Sequence, residues 1–165
     1  MRPRSKNRKE RQEPGASRSQ RTREPLTRAE IMKRVRQKNT GAEVALRSAL
    51  HAGGLRFRLH RRIEGITVDI VFPGPRVAVL VDGCFWHGCP THATYPKSNT
   101  SYWLPKLQEN KERDRRQTAR LEHAGWKVIR VWEHDCRPVN RRVVTRIARA
   151  CGKSTPGIGE YGRPR

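Results

Sequence analysis

Acidic residues are scarce in this chain: 15 Asp and Glu stand against 37 Lys and Arg in 165 residues, a formal net charge of +22 and a pI near 11.4. A general taste for arginine accounts for some of that excess but not for all of it. Long apolar runs are missing as well. None approaches the roughly 20 residues that span a bilayer, and the N-terminal stretch MRPRSKNRKERQEPGASRSQR has no apolar h-region, so neither a membrane partner nor a secretory leader is expected. Cysteines number only four. In the cytoplasmic, reducing compartment that this implies, Cys84, Cys89, Cys136 and Cys151 read as metal ligands or free thiols rather than disulfides. Hydrophobic residues make up only 34% of the chain, but they collect between Ile31 and Ile147, enough for one domain and too few for two. No internal repeat is found.

What is abundant is positive charge, and it calls for a polyanion, nucleic acid first. Residues 1–24 carry nine Lys/Arg, three Glu and almost nothing apolar, the composition of a disordered basic tail. Thr27-Arg28-Ala29-Glu30 is a capping box that starts a short helix through Ile31, Met32 and Val35, and Thr40-Gly41-Ala42-Glu43 is a second box, opening a helix that closes at Gly53-Gly54. Glu43 then sits in the first turn, where capping alone explains it. Three strands follow: an alternating one over 55–60, an apolar one over 67–72, and Val77 to Val81. Short turns between them suggest an antiparallel meander. A helix is expected over 101–124 with a break near Asn110, then a strand over 126–132 that a crossover makes parallel, and a last helix over 139–150. The fold class is α/β, a mixed sheet flanked by helices, with the domain spanning 25–151 and a disordered tail over 152–165.

The chemistry concentrates in one stretch, RVAVLVDGCFWHGCPTH, residues 76–92. Its strand ends in Asp82, and within ten residues come Cys84, Cys89, His87 and His92. Cys84-x4-Cys89-x2-His92, completed by His134 or alternatively Cys136 beyond the last strand, offers four N/S ligands suited to structural zinc. Asp69, flanked by Val68, Ile70 and Val71, is costly to bury unless it is paired or binds metal. Together with Asp82 on the neighbouring strand it is expected to hold a hard cation, and Mg²⁺ held by carboxylates beside a basic surface suggests phosphodiester hydrolysis. His87 is the candidate general base. Asn110 and Asp114, spaced i,i+4, share a helix face. Phe85-Trp86, carried on the ligand loop, has the character of a wedge inserted between base steps.

The string Gly83-Cys84-Phe85-Trp86-His87-Gly88-Cys89-Pro90, with Asn110, Arg113-Asp114 and Gly125-Trp126 to Trp132-Glu133, resembles the very short patch repair DNA mismatch endonucleases. The likeness spans about residues 26–136. It implies a restriction-endonuclease-like fold and nicking of duplex DNA 5′ of the T in T:G mismatches left by 5-methylcytosine deamination. Residue by residue it makes Asp69 the metal-binding aspartate, with Val81 adding its carbonyl, and Glu43, His87 and Asp114 the other active-site groups. Met32, Phe85 and Trp86 become the intercalating side chains, and Cys84, Cys89, His92 and His134 the zinc ligands. Some members have His at the place of Asp82. The wider superfamily carries Lys where this chain has Cys84, which leaves that role to His87. A monomer is expected, with mismatch-repair proteins as partners. Two alternatives stand beside this reading: a zinc-stabilised DNA-binding module without catalysis, and a nuclease of the same fold that cuts undamaged sites.

Overall fold

A computed structural model describes residues 39–93 and 99–154. The expected basic tail, the helix begun at Thr27 with Met32, and residues 155–165 lie outside the described residues.

Helix α1, Gly41–Ala52, starts where the second capping box places it: Thr40, with extended backbone, accepts a hydrogen bond from the Glu43 amide. It ends at Gly53, whose N–H returns to the Ala49 carbonyl, while the Gly54 N–H returns to that of His51. Ala42, Leu46, Ala49 and Leu50 recur at helical spacing on its buried face. Strands β1 (Arg58–Ile63), β2 (Ile66–Phe72) and β3 (Val77–Asp82) form the expected antiparallel meander, and β4 (Lys127–Trp132) joins β3 in parallel, so the sheet order is β1-β2-β3-β4. The β1–β2 hairpin turns through Glu64 and Gly65, both at positive φ (49° and 77°), the two-residue loop whose twist matches paired strands. Helix α2, Thr100–His123, makes the crossover between β3 and β4, and α3, Arg141–Ala150, follows a short 3₁₀ turn at Glu133–Asp135.

The sheet separates two apolar clusters. On one side Leu46, Leu50, Ile70, Phe72, Val77, Val79, Val131, Val144 and Ile147 join α1 and α3 to the sheet. On the other, Ile66, Val68, Val71, Ala78 and Leu80 pack on Leu121 of α2. Each fully buried Leu, Ile or Val is worth about 1.5–3 kcal/mol against exposure, so the helices are held by these faces rather than by intrinsic propensity.

Several expected boundaries move. Strand β1 begins at Arg58, because Leu55 and Phe57 turn into the core ahead of it while Leu59 is 39% exposed. Helix α2 runs unbroken past Asn110: that polar side chain is buried against the loop after β3 and does not interrupt the helix. Helix α3 starts two residues late, with Asn140 as its cap accepting from the Arg142 amide. Past Ala150 the amides of Gly152 and Lys153 bond back to the Arg149 and Ala148 carbonyls and close α3.

Candidate active site and metal centre

Strands β2 and β3 pair from Phe72↔Val77 to Ile70↔Val79 and then part. At the parting Asp69 takes over: its Oδ2 accepts the Val81 amide at 2.8 Å, replacing a strand carbonyl by a carboxylate. The regular alternation of β2 slips here as well, with Val68 and Val71 in one cluster and Ile70 and Phe72 in the other. Asp69 thereby comes to the α1 side, where Glu43 and His60 wait. One ligand atom from each of Glu43, His60 and Asp69 lies within 4.8 Å of the others. Glu43 is 3% exposed and is held by the Asn39 amide and by Arg47. Burial raises the Asp69 carboxyl above its ordinary value; the Val81 N–H pulls the other way, and the charge of Glu43 adds to the rise. Two acids pressed together with too little positive charge form a site that gains from a divalent cation, and carboxylate oxygens suit one.

The expected Asp69–Asp82 pair is replaced by two separate arrangements. Asp82 stands outside the Glu43–His60–Asp69 group and is gripped bidentately by Arg130 of β4, at 2.6 Å to each oxygen. Residues 80 and 82 alternate onto the α2 side of β3, and there Arg130, in register with Leu80, is the nearest cation. The same guanidinium lies 3.2 Å from Asp114 of α2. Asp114 in turn binds His87 Nδ1 through Oδ2, and His87 lies 3.6 Å from Asp82. Burial acts to raise the Asp114 carboxyl, but the His87 hydrogen bond and the Arg130 charge outweigh it and hold the group below its usual range. This ties Nδ1 of His87 to a carboxylate and leaves Nε2 as the free nitrogen of the ring.

Asn110 and Asp114, one helical turn apart, both meet the loop after β3: Asn110 Nδ2 donates to the Trp86 carbonyl at 3.1 Å. That loop is a chain of tight turns, with amides of His87, Cys89 and Ala93 bonding back to the Gly83, Cys84 and Cys89 carbonyls. Gly88 sits at φ +63°, and a Cβ there would run into the Lys111 side chain. Phe85 packs edge-on to Trp86 and to Trp103 of α2, and Trp86 meets Trp103 at a tilt, with ring centroids 5.1–6.0 Å apart, all half-buried rather than lost in the core.

Cys84, Cys89, His92 and His134 bring one donor atom each within a 4.8 Å set. Cys84 Sγ and Cys89 Sγ lie 3.1 and 3.7 Å from His134 Nδ1, and Cys89 Sγ lies 3.9 Å from His92 Nδ1. A tetrahedral zinc with its usual bond lengths separates S and N ligands by about 3.6 Å, so two thiols and two imidazoles at these spacings fit that ion. Cys136 is not part of the set. It is fully buried among apolar side chains, and burial pushes its thiol up to about 12. The alternate fourth ligand is therefore a core residue here.

Four participants were given no role in the sequence reading. Arg130 and Glu133, whose Oε1 accepts the Cys84 amide at 2.7 Å, organise the loop. Arg47 and His60 complete the acidic group. A charge inside the apolar strand KVIRVW was the available signal for Arg130, the same signal that singled out Asp69.

A family model described as DNA mismatch endonuclease Vsr matches residues 22–92. Type II nicking enzyme V.NaeI of Lentzea aerocolonigenes is 50% identical over 113 residues, covering 66% of this chain and 68% of its own. Type II nicking enzyme V.XorIIP of Xanthomonas oryzae pv. oryzae is 48% identical over 110 residues, covering 66% and 81%. DNA mismatch endonuclease Vsr of Escherichia coli is 37% identical over 111 residues, covering 65% and 69%. Among solved structures, the Homing Endonuclease I-Bth0305I Catalytic Domain is similar with a TM-score of 0.46 at 17% identity, over 66% of this chain and 91% of that one. No described helix is long and apolar enough to cross a membrane.

Proposed function

This chain belongs to the Vsr family of DNA mismatch endonucleases, and from that premise we propose that it nicks duplex DNA 5′ of the T in a T:G mismatch, in a Mg²⁺-dependent hydrolysis. The observation that carries the reading is the pair of acids, Asp69 and Glu43, brought together where β2 and β3 part, with His87 held on Asp114 in the loop after β3. Asp69, with the Val81 carbonyl and Glu43, would hold the cation, which when bound supplies charge stabilisation at the scissile phosphate. His87 takes a proton from the attacking water at Nε2, while Asp114 on Nδ1 fixes the tautomer and steadies the imidazolium that results. Arg130 joins Asp82 to Asp114 and so keeps the helix bearing Asp114 in register with the strand that leads to His87. Asp82 is thus a positioning residue.

Zinc on Cys84, Cys89, His92 and His134 would brace both sides of the turn bearing Phe85, Trp86 and His87. Held so, Phe85 and Trp86 enter the stack beside the mismatch, with Met32 as the third intercalating side chain. A T:G pair stacks less firmly than a matched pair, so prying it open costs less, and this supports selection of the mismatch through deformation.

The test is a nicking assay on matched, T:G and other mismatched duplexes, with Mg²⁺ and with EDTA. Cutting of T:G alone, abolished by EDTA, is the expected result. Equal cutting of matched duplex would favour a nuclease of undamaged sites, and binding without any cutting would favour a DNA-binding module.

A further inference from the structure

His60 has no role in the function proposed above, and its place in the fold is unusual. It lies inside β1, yet its φ is +47°, a left-handed conformation that non-glycine residues in strands rarely take. The pairing of β1 with β2 runs through Leu59↔Ile70 and Arg61↔Val68 but skips the position between them, where His60 would face Asp69. Backbone strain of this kind, of order 1–3 kcal/mol, persists where its surroundings require it and clusters at functional sites. What it achieves is visible at the imidazole: Nε2 comes within 3.8 Å of Glu43 Oε2 and joins the Glu43–Asp69 group.

A second observation concerns what that nitrogen faces. Arg47 Nη2 touches both Glu43 Oε2 and, at 2.9 Å, His60 Nε2. Nε2 also lies 3.3 Å from Asn39 Oδ1, but that oxygen already accepts from Arg47 Nη1 at 2.8 Å; a guanidinium can only donate, so the shorter contact sets the tautomer, with the Nε2 lone pair on Arg47 and the ring proton on Nδ1. Nδ1 is buried with no hydrogen-bond partner among the described residues, and Arg47 Nε is likewise. A carboxylate oxygen and an imidazole lone pair thus converge on a single positive group, the arrangement a divalent cation would impose.

We propose that His60 is a further protein donor to the cation of the Glu43–Asp69 site, and that Arg47 holds that site's charge until the cation displaces it. The inference rests on the acidic site proposed above. An N,O,O donor set favours Mn²⁺ over Mg²⁺ more than oxygens alone do, because imidazole suits the transition ion better. The displaced guanidinium, one helical turn from Glu43, is then free for a phosphate oxygen of the bound duplex.

The test titrates Mn²⁺ into the zinc-loaded full-length protein, alone and with an uncleavable T:G duplex, and reads free and bound ion by electron paramagnetic resonance. Pulsed measurements then register directly bound ¹⁴N. Wild type should show one coupled imidazole nitrogen. His60→Gln should lose that coupling and weaken Mn²⁺ by about tenfold or more, with a smaller loss for Mg²⁺. Arg47→Met should keep the coupling and bind Mn²⁺ several-fold more tightly. A coupling that survives in His60→Gln, or is absent in wild type, overturns the donor role; weaker binding by Arg47→Met overturns the placeholder role. If Asp69→Asn binds Mn²⁺ as wild type does, the acidic site itself is misplaced, a failure distinct from that of His60.

Discussion

Asp69 shows how one side chain can be costly to the fold and still be the centre of the proposed chemistry. A carboxyl raised by burial contributes stability below its unfolded value, near ~3.9, and loses it as pH climbs through the raised folded value. At neutral pH the ionised group therefore weakens the metal-free protein. Asp69→Asn keeps an acceptor for the Val81 amide and removes the charge, so its melting temperature without metal should equal or exceed that of wild type. Added Mg²⁺ should raise the melting temperature of wild type and leave the variant unmoved, and nicking by the variant should fall to background while binding of T:G duplex persists. His87 is a different case, half-buried and anchored by Asp114. His87→Ala should slow single-turnover nicking by about 10²–10⁴-fold, the range of one acid–base group, with little change in duplex affinity. Asp69 was legible in the sequence because an acid amid Val68, Ile70 and Val71 is costly in a buried strand, which outweighed the reading of an exposed edge-strand face. Arg47 and His60 were not, since an arginine on a helix and a histidine in a basic strand usually face water.

The loop after β3 works as an element because three neighbours fix it: Asn110 and Asp114 from α2, Glu133 from the 3₁₀ turn, and His134 beside it. Four donors within 4.8 Å make removal of one ligand a test of the whole. His134→Ala should lower bound zinc well below one equivalent, cut the melting temperature and reduce nicking, as read by metal analysis and thermal melts. Cys136→Ser should leave zinc near one equivalent and cost stability alone, because it places a hydroxyl in an apolar cluster. The sequence left these two residues as alternatives. They are two apart in a short turn, and only the turn's path decides which points at the thiols and which into the core.

Across the whole molecule the net charge of +22 acts on any duplex that approaches. If about six phosphates are neutralised, affinity should fall about 10³-fold between ~50 and ~200 mM salt; a competition assay over that range on T:G and matched duplexes should show parallel slopes with a constant offset. Parallel slopes would place mismatch selection in the stack-opening step and not in the phosphate contacts. From α1 onward the order of helices and strands, the meander and the parallel crossover were readable, because apolar period and turn residues are local signals. Three-layer packing, with α1 and α3 on one face and α2 on the other, followed once those faces had to be covered.

Local chemistry, then, determined the strands, the capped helices, the ligand-bearing loop and the demand for a polyanion, since each is encoded within a dozen neighbouring residues. The tertiary structure decided the partnerships: Asp69 with Glu43 and His60, Asp82 with Arg130, His87 with Asp114, and His134 rather than Cys136 among the thiols. Those pairings join residues up to 50 positions apart, and they turn on where β2 and β3 separate and which face each side chain takes, quantities that exist only once the sheet has formed.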